Sequence, residues 1–131
     1  MKRVAACGAV IRDGSGRILL VLRGRPPAAG RWSIPGGRAE PGETLPAALT
    51  RGVREETGLD IAVGPLLGDV VLPGAGADTV YDVSDYAATV TGGTLRAGDD
   101  AAGVRWCSRA ELEALPLTAG LLDHLERWRV F

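Results

Sequence analysis

Apolar positions change their spacing along this chain, and each change predicts an element. Residues 3 to 11, RVAACGAVI, form a nearly unbroken apolar run, the pattern of a buried strand. Asp13-Gly14-Ser15-Gly16 supplies a turn into a second strand over residues 17 to 22, and the two strands are expected to pair as a hairpin. Residues 23 to 32, RGRPPAAGRW, hold too much proline and glycine for a regular element; they deliver a short extended stretch over 32 to 35. Then the period changes. Leu45, Ala48, Leu49 and Val53 recur at intervals of three and four, which puts them in one narrow stripe along a helix that should lie against a sheet. Thr44 is the predicted N-cap, Pro46 falls in the first turn where its missing amide is not needed, and Gly58 should close the helix in the left-handed conformation.

Beyond the helix, residues 61 to 72 are extended and apolar, interrupted at Gly64-Pro65 and Gly68, and residues 73 to 77 predict a flexible loop. A long strand follows over 79 to 91. Its alternation sends Val80, Asp82, Ser84 and Tyr86 to one face and Tyr81, Val83, Asp85 and Ala87 to the other, so each face carries an aspartate. An acid on a strand face suggests the edge of a polar cleft for one of the two. Gly92-Gly93 predicts a turn, and 104 to 107 a last short strand. Ser108 and Glu111 have the capping-box spacing for a short helix ending near Leu115. A terminal helix over 118 to 128 would dock Leu121, Leu122, Leu125 and Trp128, leaving His124, the only histidine, at the boundary. Strands and helices in this order predict an α/β chain, a mixed sheet between helices.

Composition narrows the class. At 131 residues, 46% apolar and 24% charged, the chain is expected to form one domain with a single core, neither disordered nor membrane-spanning. The N-terminus lacks the long apolar region of a secretory signal, so the cytoplasm is the expected compartment. Cys7 and Cys107 fall in predicted strands without metal-ligand spacing, as buried reduced thiols do. With a net charge of −1, the chain lacks the basic excess of a protein that tracks a nucleic-acid polymer. What basic clustering exists is local: Arg23, Arg25, Arg31 and Arg38 flank the loop before the helix, where guanidinium groups are suited to clamp phosphates. Trp32, within that stretch, either packs into the core or stacks on a substrate base.

The chemistry concentrates between Gly36 and Leu59, GGRAEPGETLPAALTRGVREETGL. Glu43, Arg51, Glu55 and Glu56 are spaced so that one loop and one helix gather several charges. Two adjacent carboxylates at a helix end repel unless a cation lies between them, and Mg²⁺ and Mn²⁺ prefer such oxygen ligands.

This stretch resembles the signature of the Nudix hydrolases. Gly37, Glu43, Arg51, Val53, Glu55, Glu56, Gly58 and Leu59 match it in register, while Gly52 stands where the family carries a glutamate. The resemblance implies a Nudix-type α/β/α sandwich with a central mixed sheet. It also implies hydrolysis of a nucleoside diphosphate linked to another moiety, such as an ADP-ribose-like compound or a nucleoside triphosphate. By the same resemblance Glu55 and Glu56 would bind Mg²⁺ or Mn²⁺, a carbonyl of Gly36 or Gly37 would complete the coordination, and Glu43 would pair with Arg51 to brace the loop on the helix. A further carboxylate from a later loop would assist as ligand or base, with Asp99 and Asp100 the first candidates and Asp82 and Asp85 behind them. The expected partner is a small-molecule nucleotide, with no membrane and no polymer, and a homodimer is left open. Positions 52 and 56 lie one helical turn apart, so Gly52 removes a carboxylate from beside Glu56. Two readings follow: a site that still holds metal and turns over, or an impaired one repurposed for nucleotide binding or regulation. On either reading Gly52→Glu is expected to strengthen metal binding and the helix together.

Overall fold

The computed structural model describes every residue of the chain except Pro27 and Ala75. In chain order the elements are β1 (Lys2–Ile11), β2 (Ile18–Arg23), β3 (Trp32–Ser33), β4 (Gly36–Arg38), α1 (Leu45–Thr57), β5 (Leu59–Pro73), β6 (Thr79–Gly93), β7 (Ala101–Cys107), α2 (Arg109–Ala114) and α3 (Leu121–Arg127). The first sheet has the strand order β4-β1-β6-β5 and is mixed: β1 runs parallel to β6, and the other pairs are antiparallel. The second is antiparallel, in the order β3-β2-β7. The loop expected over 73 to 77 and the irregular stretch 23 to 32 each include one residue, Ala75 and Pro27, that lies outside the described residues.

The expected β1–β2 hairpin does not form. Its turn is present, with one Asp13 carboxylate oxygen accepting from the N–H groups of Ser15 and Arg17. Past a single bridge between Arg12 and Ile18, however, the chain leaves one sheet for the other. The reason is pairing. Both strands are apolar on both faces, which the helices cover, and the two edges of each are already taken, β1 by β4 and β6, β2 by β3 and β7. A second difference is Gly92-Gly93, which lies within the end of β6, paired with Asp60 and Leu59, because β5 begins directly after the Gly58 cap. The interruptions expected near Gly64-Pro65 and Gly68 appear as register shifts in β5 rather than as breaks.

Two cores, rather than the single one expected, follow from the alternation along β1 and β2, because inward residues on opposite faces of the strands meet different helices. Cys7, Ala9, Ile11 and Leu19 meet Ala48, Leu49 and Val53 of α1. Val10, Ile18 and Leu20, on the opposite faces, meet Leu112 of α2 with Leu121 and Leu125 of α3. Helices therefore pack on both sides of the sheets, as the sequence predicts. Both cysteines are free and buried, and no helix among the described residues is long and apolar enough to cross a membrane.

Helix α1 begins and ends as its sequence indicates. The Thr44 side chain accepts from the Ala47 N–H at 3.2 Å, and Gly58, at φ 76°, donates its N–H to the Arg54 carbonyl. Its interior glycine is the informative position. Gly52 is buried, and a Cβ there would lie 2.9 Å from the Gly36 carbonyl oxygen, a backbone atom that cannot swing away. Alanine would gain about 1 kcal/mol in helix propensity against about 1–3 kcal/mol for overpacking. Gly52→Ala should therefore lose roughly 1 kcal/mol net, read as a lower midpoint in urea unfolding; a raised midpoint would show that β4 yields freely.

Candidate metal and phosphate site

The loop that carries Gly36 and Gly37 is tied to α1 by side chains spaced along the helix. Arg51 donates from Nε and Nη2 to the two carboxylate oxygens of Glu43, each at 2.9 Å, and from Nη2 to the Arg38 carbonyl at 3.0 Å. Arg51 thereby bridges both sides of the loop. Glu43 in turn accepts from the Glu40 N–H at 2.8 Å, closing the turn that leads into the helix. The Arg51 fork and then the Glu40 amide hold the Glu43 carboxyl down at about 2, and the same contact raises the Arg51 guanidinium further above its ordinary value.

Glu55 and Glu56 diverge. Glu55 is largely exposed and reaches back to Arg51 at 3.4 Å, one turn away. Glu56 turns inward, and its Oε1 accepts from the Gly36 N–H at 2.8 Å. Burial pushes the Glu56 carboxyl up to about 7; Glu55 and Asp100 push the same way, while the Gly36 amide and the Arg23 charge pull against them. Gly52, one turn earlier, faces the same Gly36 backbone, so the helical register inferred from the sequence holds. What does not hold is the expectation that Gly52→Glu would strengthen the helix: the Cβ has no room.

Of the two glycine carbonyls, that of Gly36 lies beside Gly52, whereas that of Gly37 accepts from the Cys7 thiol at 3.5 Å. The later loop also reaches the helix. The Gly98 N–H donates to the Glu56 carbonyl at 2.9 Å, and a Cβ at Gly98 would stand 1.9 Å from the Glu55 carbonyl, so only glycine allows this seat. Gly98 thus brings Asp99-Asp100 over the end of α1, a role sequence reasoning missed, although a glycine immediately before paired acids is the signal. Asp100 pairs with Arg25 at 2.9 Å, both exposed.

The arginines divide. Arg23 acts on Glu56 and Arg25 on Asp100, whereas Arg31 donates to the Leu117 carbonyl at 3.1 Å and the exposed Arg38 contributes its carbonyl to Arg51. Trp32 is half-buried against the second core, with the Arg105 guanidinium 5.9 Å from its ring centroid. Asp82 is bound by Arg3 at the surface, but Asp85 is buried. A cleft of about 370 Å³ is lined by Arg12, Leu59, Leu95 and Trp106 and includes neither Glu55 nor Glu56; convergent charge, not concavity, marks the site.

Among the described residues no group of three or more His, Cys, Asp or Glu side chains is placed to hold a metal ion. The donors around Glu56 nevertheless suit a hard divalent cation. They are all oxygens, and Glu56, flanked by the charges of Glu55 and Asp100, is a carboxylate that a cation would relieve of its raised pKa.

A NUDIX domain model matches residues 1–128, and the chain belongs to the Nudix family, a class of pyrophosphohydrolases. Among its relatives, the "Putative 8-oxo-dGTP diphosphatase 2" of Mycobacterium tuberculosis is 37% identical over 135 residues, covering 97% of this chain and 90% of that protein. The ADP-ribose pyrophosphatase of Methanocaldococcus jannaschii is 39% identical over 98 residues, 75% of this chain and 57% of that protein. The crystal structure of a MutT NUDIX hydrolase from Burkholderia pseudomallei superposes with a TM-score of 0.85 at 31% identity, covering 96% and 98% of the two chains.

The Glu43–Arg51 tie has a pH signature. A carboxyl held at about 2 in the fold against an ordinary value of about 4.3 contributes stability that is present above the ordinary value and lost as pH falls through that window. Denaturant titrations should show wild type losing stability between roughly pH 4.5 and 2, while Glu43→Gln, already weaker at pH 7, should lose less over that window. Parallel losses in both would place the acid sensitivity elsewhere.

Proposed function

We propose that this chain hydrolyses the diphosphate of a small nucleotide, a nucleoside triphosphate or a nucleoside diphosphate joined to another group, with Mg²⁺ or Mn²⁺ bound at Glu56. One observation carries the reading: the half-buried Glu56 carboxylate accepts from the Gly36 amide at 2.8 Å and is ringed by the charges of Glu55, Asp100 and Arg23. Glu56, Glu55 and the Gly36 carbonyl would hold the cation, with Asp100 reaching in from the loop at Gly98. Bound there, it would neutralise diphosphate charge and lower the pKa of a coordinated water. Arg23 and Arg25 stand on the same side and orient phosphate oxygens. Asp100, drawn off Arg25 when phosphate takes that guanidinium, is the base that accepts the proton of the attacking water. The names of the two relatives, one for 8-oxo-dGTP and one for ADP-ribose, agree with a nucleotide diphosphate as the reacting group. Two buried free thiols suit a reducing compartment, and we place the enzyme in the cytoplasm.

A second reading has its own observation. With Gly52 packed against Gly36, one carboxylate of the family pattern is absent, and a nucleotide-binding module without turnover would look the same. Release of nucleoside monophosphate from a panel of nucleoside triphosphates and diphosphate esters, with Mg²⁺, Mn²⁺ and chelator, separates the two. Metal-dependent release that Glu56→Gln lowers by tenfold or more, about 1.4 kcal/mol of transition-state stabilisation, is the expected result; nucleotide binding without release in any combination would establish the binding module.

Gly52→Glu tests the same site from the other side. The added carboxylate faces Gly36 beside Glu56, so half-maximal activity should need less Mn²⁺, while the crowded Cβ lowers the melting temperature. Unchanged metal dependence in a folded variant would remove position 52 from the metal site.

A further inference from the structure

Four residues stand level across the first sheet: Gly36 on β4, Gly8 on β1, Asp85 on β6 and Gly68 on β5, each paired with the next. Residues directly paired across a sheet share a face, so Asp85 projects between two strands that have no side chain beside it. At either glycine a side chain would displace a neighbouring side chain. A Cβ at Gly8 would stand 2.3 Å from Asp85 Oδ1 and 2.8 Å from the Ile34 δ-methyl; at Gly68 it would stand 2.5 Å from Trp128 Nε1. The row is therefore a trough in the face opposite α1, with Asp85 at its centre and Ile34 and Trp128 over its flanks.

Asp85 is only 5% exposed, and its Oδ1 is fully enclosed without a hydrogen-bond partner. Nothing in the reading of Glu56 uses it. A buried acceptor left unmatched destabilises a fold, so its presence asks for a ligand that supplies the missing donor. Its distance from the reacting end is suitable. Strands lie about 4.8 Å apart, so Asp85 is about 10 Å from the Gly36 amide that binds Glu56, the scale of a nucleoside between its first phosphorus and the far edge of its base.

We propose that Asp85 is the residue that reads the nucleobase, its carboxylate accepting hydrogen bonds from the ring N–H and the 2-amino group of a guanine-type edge. The inference rests on the nucleotide reading of the Glu56 site. The half-buried Ile34 side chain stands beside Oδ1 and would have to turn aside for the base to reach it. Burial, and then the charge of Asp69 on β5, push the Asp85 carboxyl up to about 6, and the carboxyl in turn acts on the Cys7 thiol of β1. It is thus mostly ionised at neutral pH and offers acceptors only. Guanine presents two adjacent donors to such a pair of oxygens. Adenine and cytosine present one amino donor next to a ring acceptor, which repels the second oxygen, and uracil presents one donor between two carbonyls.

Steady-state kinetics at pH 7.5 on guanosine, inosine, adenosine and cytidine triphosphates, together with calorimetric binding of each in chelator, test this with wild type, Asp85→Ala and Asp85→Asn. For guanosine, KM should rise tenfold or more in Asp85→Ala with kcat nearly unchanged, the sign of lost uniform binding. Inosine, lacking the 2-amino group, should lose less, and adenosine and cytidine little. Asp85→Asn, which replaces one acceptor by a donor, should move preference toward adenosine or cytidine. Both variants should melt higher than wild type at this pH, because an ionised carboxylate without a partner has been removed. Equal discrimination between guanosine and adenosine in all three proteins, or a wild-type preference for adenosine, overturns the proposal. If guanosine binding depends on Asp85 but no nucleotide is hydrolysed, the hydrolytic reading fails and this one stands; hydrolysis indifferent to Asp85 gives the reverse. Failure of every nucleotide either to bind in chelator or to be hydrolysed with metal overturns both.

Discussion

Arg51 is the tie on which the rest of the candidate site depends. A strand of three residues, β4, cannot hold a loop in place by its own ladder, and Glu43 lies beyond any sheet. The guanidinium solves this by geometry: its planar fork takes both Glu43 oxygens and one remaining N–H takes the Arg38 carbonyl, so strand, loop and helix share one group. Once that loop is seated, the Gly36 N–H points at Glu56 and its carbonyl at Gly52. Lysine, with a single ammonium, could replace the charge but not the fork.

Seating the loop this closely constrains everything around it. Gly52 and Gly98 let two backbones approach α1, one at its middle and one at its end, where any side chain would collide with a carbonyl. At Gly98 the close approach brings an acidic loop to the paired glutamates. At Gly52 it coincides with the place where a third carboxylate is missing from the helix. Packing and chemistry compete for the same position, and in this chain packing holds it.

Much of this was legible in the sequence, for physical reasons that differ by element. Helix α1 is legible because a three-and-four stripe, a threonine cap and a glycine stop all agree over one short segment, and because the charged residues inherit its register. The capping box at Ser108 and Glu111 is local for the same reason and is present. Strand partners are not local. Nothing in residues 3 to 22 says that β1 and β2 belong to different sheets, since a turn joins them in either case and only the later strands that take their edges decide. Asp85 shows the same limit at a single residue: alternation places it on a face, but that it stands buried between two glycines depends on strands 77 residues before it and 17 before it in the chain.

The strand order also has a consequence for how the chain comes to be folded. β1 precedes every other strand of its sheet in the chain, yet it sits in the interior, and its parallel partner begins at Thr79. Parallel pairing across so long a separation demands loop closure before it returns any stabilisation, which slows folding relative to local helix formation. On a ribosome, β1 therefore emerges with both apolar faces and one edge bare, while α1 can already wind. Gly8 and Gly36 become neighbours only within that sheet, so the glycine row cannot exist before β6 has been synthesised, and the part of the molecule that would meet a nucleotide is among the last to take shape.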